Sequence, residues 1–295
     1  MTTETLTDGS LELHETFTQS TARAVQVIEP SRSRIGINWH EIWAYRELLY
    51  FLTWRDVKIR YKQTVLGGSW AVLQPVMTMI VFSIFFGHLA GLGKKTDGIP
   101  YPIFSYAALL PWTFFANSIG NSGNSLVGSS SLITKVYFPR LVIPLAAVGA
   151  GLVDLAIAFV VLLGMMFYYH VALTWQVVLV PLFLVGTILT ATGVGTLLSA
   201  LIVAYRDFRY VVPFMIQLWM FISPVTYPSS MVPEKWRWVL AVNPMSGLID
   251  GFRSAFLGRP FDWPHIGISM VVSALLFFTG AAYFRKVERR FADII

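Results

Sequence analysis

Apolar positions in this chain fall in long unbroken stretches separated by short polar and charged segments. Stretches at residues 70–89, 103–119, 143–169, 177–203, 211–225 and 266–283 predict six helices, each near the roughly 20 residues that a bilayer crossing requires. They are apolar all round, whereas a water-soluble helix carries one apolar stripe. The expected fold class is therefore an all-α polytopic membrane protein with six transmembrane helices. The second stretch contains Pro111, and after Phe115 it turns small and polar at Asn117, Ser118, Asn121, Ser122, Asn124 and Ser125. Lipid penalises such a face, so it must pack against other helices or line a wet pathway. Gly149, Gly151, Gly164, Gly186, Gly193 and Gly195 in the third and fourth stretches suit close helix packing. Asp154 is an acid deep within an apolar span, which raises an ion or proton relay. The reading taken is structural, with the carboxyl protonated or hydrogen-bonded by neighbouring helices.

The flanks are patterned differently. Asn38 followed by Glu41 reads as a helix start. Trp39, Ile42, Trp43, Leu49 and Tyr50 then recur at helical spacing, as expected of an N-terminal amphipathic helix in the cytoplasmic interface. A soluble helix packed on a partner protein gives the same pattern. The basic run Arg55-Asp56-Val57-Lys58-Ile59-Arg60-Tyr61-Lys62 follows, and Gly67-Gly68 precedes the first span. Between the second and third spans, Leu132, Ile133, Val136, Tyr137 and Phe138 make the loop too apolar to be idle. A short helix docking into a groove of another protein explains it, and so does a helix lying on the membrane. Pro224, Pro228, Pro233 and Pro244 forbid one continuous helix after the fifth span. Two short helices are predicted there, one from Pro233-Glu234 to Asn243 and one from Met245 to Leu257 ending at Gly258. Asp250 and Arg253 are close enough to pair. Together they form an external re-entrant helical hairpin between spans 5 and 6.

Charge orients this topology. With both termini in the cytoplasm, sixteen of the 22 basic residues fall inside and six outside, as the positive-inside rule demands. The net charge of +6 thus reports orientation, and nucleic acid is not an expected partner. Composition agrees: 55% hydrophobic and 13% charged, with a mean hydropathy of +0.62, against about 25% charged in soluble proteins. The absence of cysteine excludes disulfides and thiolate chemistry. The segment His88 to Lys95 has histidine where a phosphate loop needs its first glycine and lysine where it needs Ser or Thr. No metal site is expected from the scattered His14, His40, His88, His170 and His265. No catalytic apparatus is visible, so uphill movement would need energy from elsewhere. The expected organisation is a flexible cytoplasmic tail at 1–36, an interface helix and basic segment at 37–66, a transmembrane domain at 67–287, and a cytoplasmic C-terminus at 288–295.

Four stretches carry a family resemblance: the basic run with Leu66-Gly67 and Trp70; the loop 132–140; Tyr205-Arg206-Asp207-Phe208-Arg209-Tyr210; and Pro224-Val225-Thr226-Tyr227-Pro228 through Asn243-Pro244-Met245. In this order, over about residues 38–290, the chain resembles the permease subunits of ABC-2 type polysaccharide exporters, the family of O-antigen, capsule and teichoic-acid exporters. The resemblance implies two copies of the chain in the bacterial inner membrane, each served by a separate cytoplasmic ABC ATPase that holds ATP and Mg. The permease itself binds no cofactor. It also implies a lipid-linked polysaccharide as substrate and makes Leu132, Ile133, Lys135, Val136, Tyr137, Phe138 and Arg140 the ATPase-coupling segment.

Under that resemblance the residues allow a channel. Sugar ring faces are weakly apolar and their rims carry hydroxyls, so aromatic walls with nearby amides let a chain slide. Candidate channel-lining residues are Tyr101, Phe104, Tyr106, Trp112, Phe114 and Phe115, with Asn117 and Asn121 beside them. Trp219, Phe221 and Tyr227 complete the set. Taken singly, each aromatic is better explained by an interface belt or plain packing than by a channel wall. Arg55, Lys58, Arg60 and Lys62 are candidates to receive a pyrophosphate headgroup from the cytoplasmic leaflet; positive-inside anchoring and membrane-lipid contacts explain the same residues. Another ABC-2 permease for a lipid or drug, an ATP-independent channel, and an intramembrane enzyme remain the alternatives. An enzyme would need an acid cluster or metal motif at one membrane face.

Overall fold

A computed structural model describes residues 39–62, 67–96 and 98–288. The expected tail at 1–36, Asn38 and the segment beyond 288 lie outside the described residues. Among those described, every regular element is helical. The order is α1 (Trp39–Ala44), α2 (Arg46–Tyr61), α3 (Trp70–Phe82, continued by a π-helical segment Ser83–Leu89), α4 (Tyr101–Gly128) and α5 (Ser130–Lys135). It continues with α6 (Val142–Tyr168), α7 (Val180–Ala204), α8 (Phe208–Ile222), α9 (Arg237–Val242), α10 (Pro244–Leu257) and α11 (Trp263–Glu288).

Four segments are long and apolar enough to cross a membrane: Trp70–Leu89, Val142–Tyr168, Trp175–Ala204 and Trp263–Glu288. The other two expected spans take a different form. α4 has 28 residues, about 42 Å at 1.5 Å per residue, but its second half is the polar run from Asn117 to Ser125. α8 is an apolar helix of only 15 residues, because the chain leaves helical geometry at Ser223 ahead of Pro224. Pro111 does not stop α4, and Pro75 and Pro213 likewise sit inside α3 and α8.

α4 is the hub, packed against α3, α6, α7, α8 and α10, while α7 and α11 form the most extensive pair. Glycine makes that pair close: a Cβ on Gly193 would lie 2.5 Å from the carbonyl group of Leu276, and one on Gly280 would strike the carbonyl oxygen of Gly193. Helices in lipid gain little from the hydrophobic effect, so close approach and dispersion hold them together. The polar seam of α4 uses the same device. Ser118 and Ser122 are fully buried, and a Cβ on Gly151 of α6 or Gly195 of α7 would come within 2.8 or 2.7 Å of their hydroxyls.

α2 climbs along α6. Thr53 sits on Gly149, and one helical turn or two further on Arg60 and Tyr61 reach Asp154. The basic run is thus helical and rises beside a span, which corrects the expectation of an interface helix ending near Tyr50. At the end of the bundle where α2 starts, Leu52, Leu126, Ile133, Phe138, Val142, Val203 and Phe284 form a second apolar core.

Substituting Gly193→Ala should overpack the α7–α11 crossing and cost about 1–3 kcal/mol. At Gly267 a new Cβ meets nothing within 4 Å among the described residues, so Gly267→Ala should leave the midpoint unchanged or slightly raised. Thermal unfolding of the two variants in lipid nanodiscs measures the difference.

Candidate functional site

The expected site residues fall into three places. The first is the loop after α4, where α5 is a six-residue helix followed by extended Val136. Its apolar residues divide. Ile133 and Phe138, 8% and 5% exposed, are inserted in the chain's own second core, and Leu132 packs partly against it. Lys135, Val136 and Tyr137 project outward, Tyr137 being 74% exposed. Arg140 ties the loop to the end of α11: its backbone N–H donates to the Glu288 carboxylate at 3.1 Å, and its guanidinium donates to the Glu288 carbonyl oxygen at 2.6 Å. Arg285 of α11 lies 4.0 Å from Glu41 of α1. Ile133 and Phe138 therefore seat the loop on the bundle, leaving Lys135, Val136 and Tyr137 as the outward surface.

The second place is the pair of short helices α9 and α10. α10 begins at Pro244, one residue before the expected Met245, and ends at Leu257 as expected. α9 starts at Arg237 after a 3-10 turn Glu234–Trp236, where a helix from Pro233-Glu234 is expected. Asn243 caps α10 by accepting from the Met245 N–H at 3.1 Å, and Gly258 ends it with φ 68°, the left-handed geometry of a helix C-terminus. The irregular segment after α8 is buried at Ser223, Pro224, Val225 and Thr226, so its carbonyl groups need internal donors. Arg253, 2% exposed, provides them. Its guanidinium donates to Val225 O at 2.6 Å, Tyr227 O at 3.3 Å and Phe104 O at 3.3 Å. It lies 3.8 Å from the Phe104 ring centroid and 3.5 Å from Asp250. The Tyr101 hydroxyl donates to Thr226 O at 2.7 Å. Trp219 Nε1 donates to Asn243 at 2.9 Å, and the Asn243 amide donates to Ser223 Oγ at 2.9 Å.

That latch consumes several candidate channel residues. Phe104, Tyr106 and Phe115 are wholly buried: Phe104 lies under Arg253, Tyr106 donates to Ala158 O at 3.2 Å, and Phe115 meets Trp219 edge to face at 5.0 Å. Tyr101 and Trp112 are also buried. These five are corrected from wall to core in this conformation, because α4 is enclosed by other helices. Phe221 is exposed, and Tyr227 is half-buried with its hydroxyl on Ile222 O at 3.0 Å.

The third place is a cavity of about 320 Å³ between α2, α3, α4 and α6. Thr113, Asn117 and Asn121 recur every four residues on one face of α4 and line it, together with Phe114, with Trp70 and Gln74 of α3, and with Tyr61 of α2. Arg60 and Asp154 close one side as an ion pair, and the Tyr61 hydroxyl donates to the other Asp154 oxygen. Burial pushes the Tyr61 phenol above its ordinary pKa, the nearby Arg60 charge opposing in part, so it stays a donor. The four basic candidates are split accordingly: Arg60 turns inward, while Arg55, Lys58 and Lys62 share an outer face with Phe51, Trp54 and Ile59. On that face Arg55 pairs with Asp56 at 2.9 Å, and Lys58 lies 5.6 Å from the Trp54 ring centroid. Among the described residues no group of three His, Asp or Glu is placed to hold a metal.

Sequence reasoning raised Asp154 but not its partners, which lie 94 and 93 positions away. The available signal was the acid itself, which needs a counter-ion at that depth.

Residues 47–257 match the family described as ABC-2 type transporter. The chain is 31% identical over 251 residues to the O-antigen export system permease protein RfbA of Klebsiella pneumoniae, covering 84% of this chain and 95% of that protein. It is 30% identical over 260 residues to the RfbA of Myxococcus xanthus, covering 86% and 98%. The polysialic acid transport protein KpsM of Escherichia coli is 22% identical over 241 residues, covering 79% and 91%.

Breaking the Arg60–Asp154 pair should be worse than removing it. The two side chains are 29% and 18% exposed, so Arg60→Met alone should cost near the lower end of the about 3–5 kcal/mol seen when one partner of a buried pair is lost. Arg60→Met combined with Asp154→Leu should recover most of that. A double-mutant cycle of thermal midpoints decides it.

Proposed function

The chain belongs to the ABC-2 type transporter family, and on that premise we propose that it is the transmembrane permease subunit of an ATP-driven exporter of lipid-linked polysaccharide, acting from the cytoplasm across the bacterial inner membrane. The observation that carries this reading is the extent of likeness to O-antigen export permeases: 84–86% of this chain aligns with 95–98% of theirs. Likeness confined to a few spans would indicate only a common membrane architecture.

The fold supports the finer reading. α3, α4, α6, α7, α8 and α11 are the six spans. α4 crosses because its polar half is turned to glycine seams and the cavity. α8 crosses because the buried segment 223–226 extends it. The hairpin α9–α10 enters the external leaflet, where Arg253 satisfies the broken backbone in place of water. Both termini face the cytoplasm, at the end bearing α1, α5 and the close of α11, and this agrees with the bias in basic residues. Two copies enclose the path. ATP and Mg reside on a separate ABC ATPase chain, which docks on the surface of Lys135, Val136 and Tyr137. Arg140 and Glu288 carry the push into α11. Arg55, Lys58 and Lys62, on the outer face of α2, receive the pyrophosphate of the lipid carrier.

Two substitutions separate docking from folding. Tyr137→Glu should keep the wild-type melting midpoint yet lose co-purification with the cognate ATPase and export of the polymer. Phe138→Ala should lower stability by about 3–5 kcal/mol, as for a buried Phe truncated to Ala. Normal co-purification and export by Tyr137→Glu would reject the docking surface. Surface polysaccharide persisting in cells deleted for the chain would reject the exporter.

A further inference from the structure

The cavity between α2, α3, α4 and α6 has no part in the latch or the docking loop, and its lining is unusual for a space among membrane helices. Rings come from Trp70, Phe114 and Tyr61, amides from Gln74, Asn117 and Asn121, and a closed ion pair from Arg60 and Asp154. A space filled by lipid tails has no use for three amides, which lose hydrogen bonds to water without gaining partners. About 320 Å³ is the lower end of small-ligand sites, which run about 300–1,000 Å³ and combine apolar walls with a few convergent polar groups.

We propose that this cavity is a saccharide pocket within each protomer, taking one or two neutral sugar rings of the passing polymer. The inference rests on the exporter reading and deepens it. Its chemistry follows from the ion pair. Because Arg60 is already matched by Asp154, the pocket has no surplus positive charge, and a phosphate placed there would meet the Asp154 carboxylate at close range. Vicinal hydroxyls face no such repulsion: they donate to Asp154 and accept from Arg60 and the amides, while a ring face rests on an aromatic side chain. Trp70, Gln74 and Asn121 are exposed at the mouth, so a ring enters without unfolding a helix. Recognition is then divided along α2. The outer face, carrying Lys58 and Lys62, suits the phosphate of a carrier lipid, and the inner face with Arg60 and Tyr61 suits the sugar.

The absence of native cysteine allows a direct test. Ala71 lines the cavity and lends it no polar group, so Ala71→Cys places a single thiol inside. Val178, 77% exposed and outside the pocket, gives the control Val178→Cys. The rate of maleimide labelling is measured on the full chain in lipid nanodiscs, with D-glucose, D-galactose, D-mannose, L-rhamnose or inorganic pyrophosphate added. At least one sugar should slow labelling at position 71 severalfold and leave position 178 unchanged. Pyrophosphate should protect neither, and Asn117→Leu in the Ala71→Cys background should abolish the protection. Failure of all four sugars, equal protection by pyrophosphate, or protection surviving Asn117→Leu would overturn the pocket. Surface polysaccharide in cells deleted for the chain is scored separately: its loss with no sugar protection rejects the pocket alone, and its persistence rejects the exporter and the pocket together.

Discussion

The structure depends on one constraint: a chain surrounded by lipid must satisfy its backbone N–H and C=O groups from within. Continuous helices do so automatically, and α6, α7 and α11 need nothing more. The difficulty is local, at the segment from Ser223 to Tyr227 where proline breaks the run. There a single guanidinium, Arg253, bonds two of the freed carbonyl groups and one from α4, and Tyr101 bonds a third from the segment. Arginine suits this work because its donors form a fixed planar fork that spans several acceptors at once. The charge is kept buried by Asp250 on one side and the Phe104 ring on the other. The hairpin therefore follows from the break: α10 must lie against α4 so that Arg253 can reach.

The same constraint explains how polar residues are distributed in α4. Serines sit where glycine on a neighbouring helix leaves room, and amides sit where a cavity admits other polar groups. Asn124 returns its amide to Gly120 O at 2.9 Å, a local solution in which the helix's own backbone supplies the acceptor. One helix thus serves as hub for packing and as wall of a polar space. Its aromatic first half holds the hairpin, and its amide half borders the cavity.

Much of this was legible in the sequence. Apolar run lengths located most of the helices; Pro244 and Gly258 bracketed α10 to within a residue, because proline and glycine act on their own backbone. Small residues marked the close crossings. What could not be read was direction. The first half of α4 is apolar around its whole circumference, so no pattern distinguishes the side facing α6 from a side facing a channel, and Phe104, Tyr106 and Phe115 were placed on the wrong one. Loop 132–140 has the same ambiguity: Ile133 and Tyr137 are both apolar enough to dock elsewhere, and only the second core shows that Ile133 is already engaged. The Arg60–Asp154 pair joins positions 94 apart, a distance at which local spacing carries no information.

Differences in packing indicate which parts can move. Of its fifteen residues, α8 buries only Val212, and the α-helical part of α3 buries only Pro75 and Phe82. α10, by contrast, buries nearly its whole length. In water such thinly packed helices would come away, but in a bilayer their outer apolar faces exchange lipid for protein at little cost, since lipid tails are as apolar as leucine. α3 can therefore shift against α4 without opening the latch or the α7–α11 crossing, whereas α8 is tied to the latch through Trp219 and Asn243. The limit on α3 comes from the cavity, where Trp70 and Gln74 face the Arg60–Asp154 pair. Any movement of α3 against α4 therefore also changes the wall of this polar space, which couples a loosely packed span to the polar half of the hub.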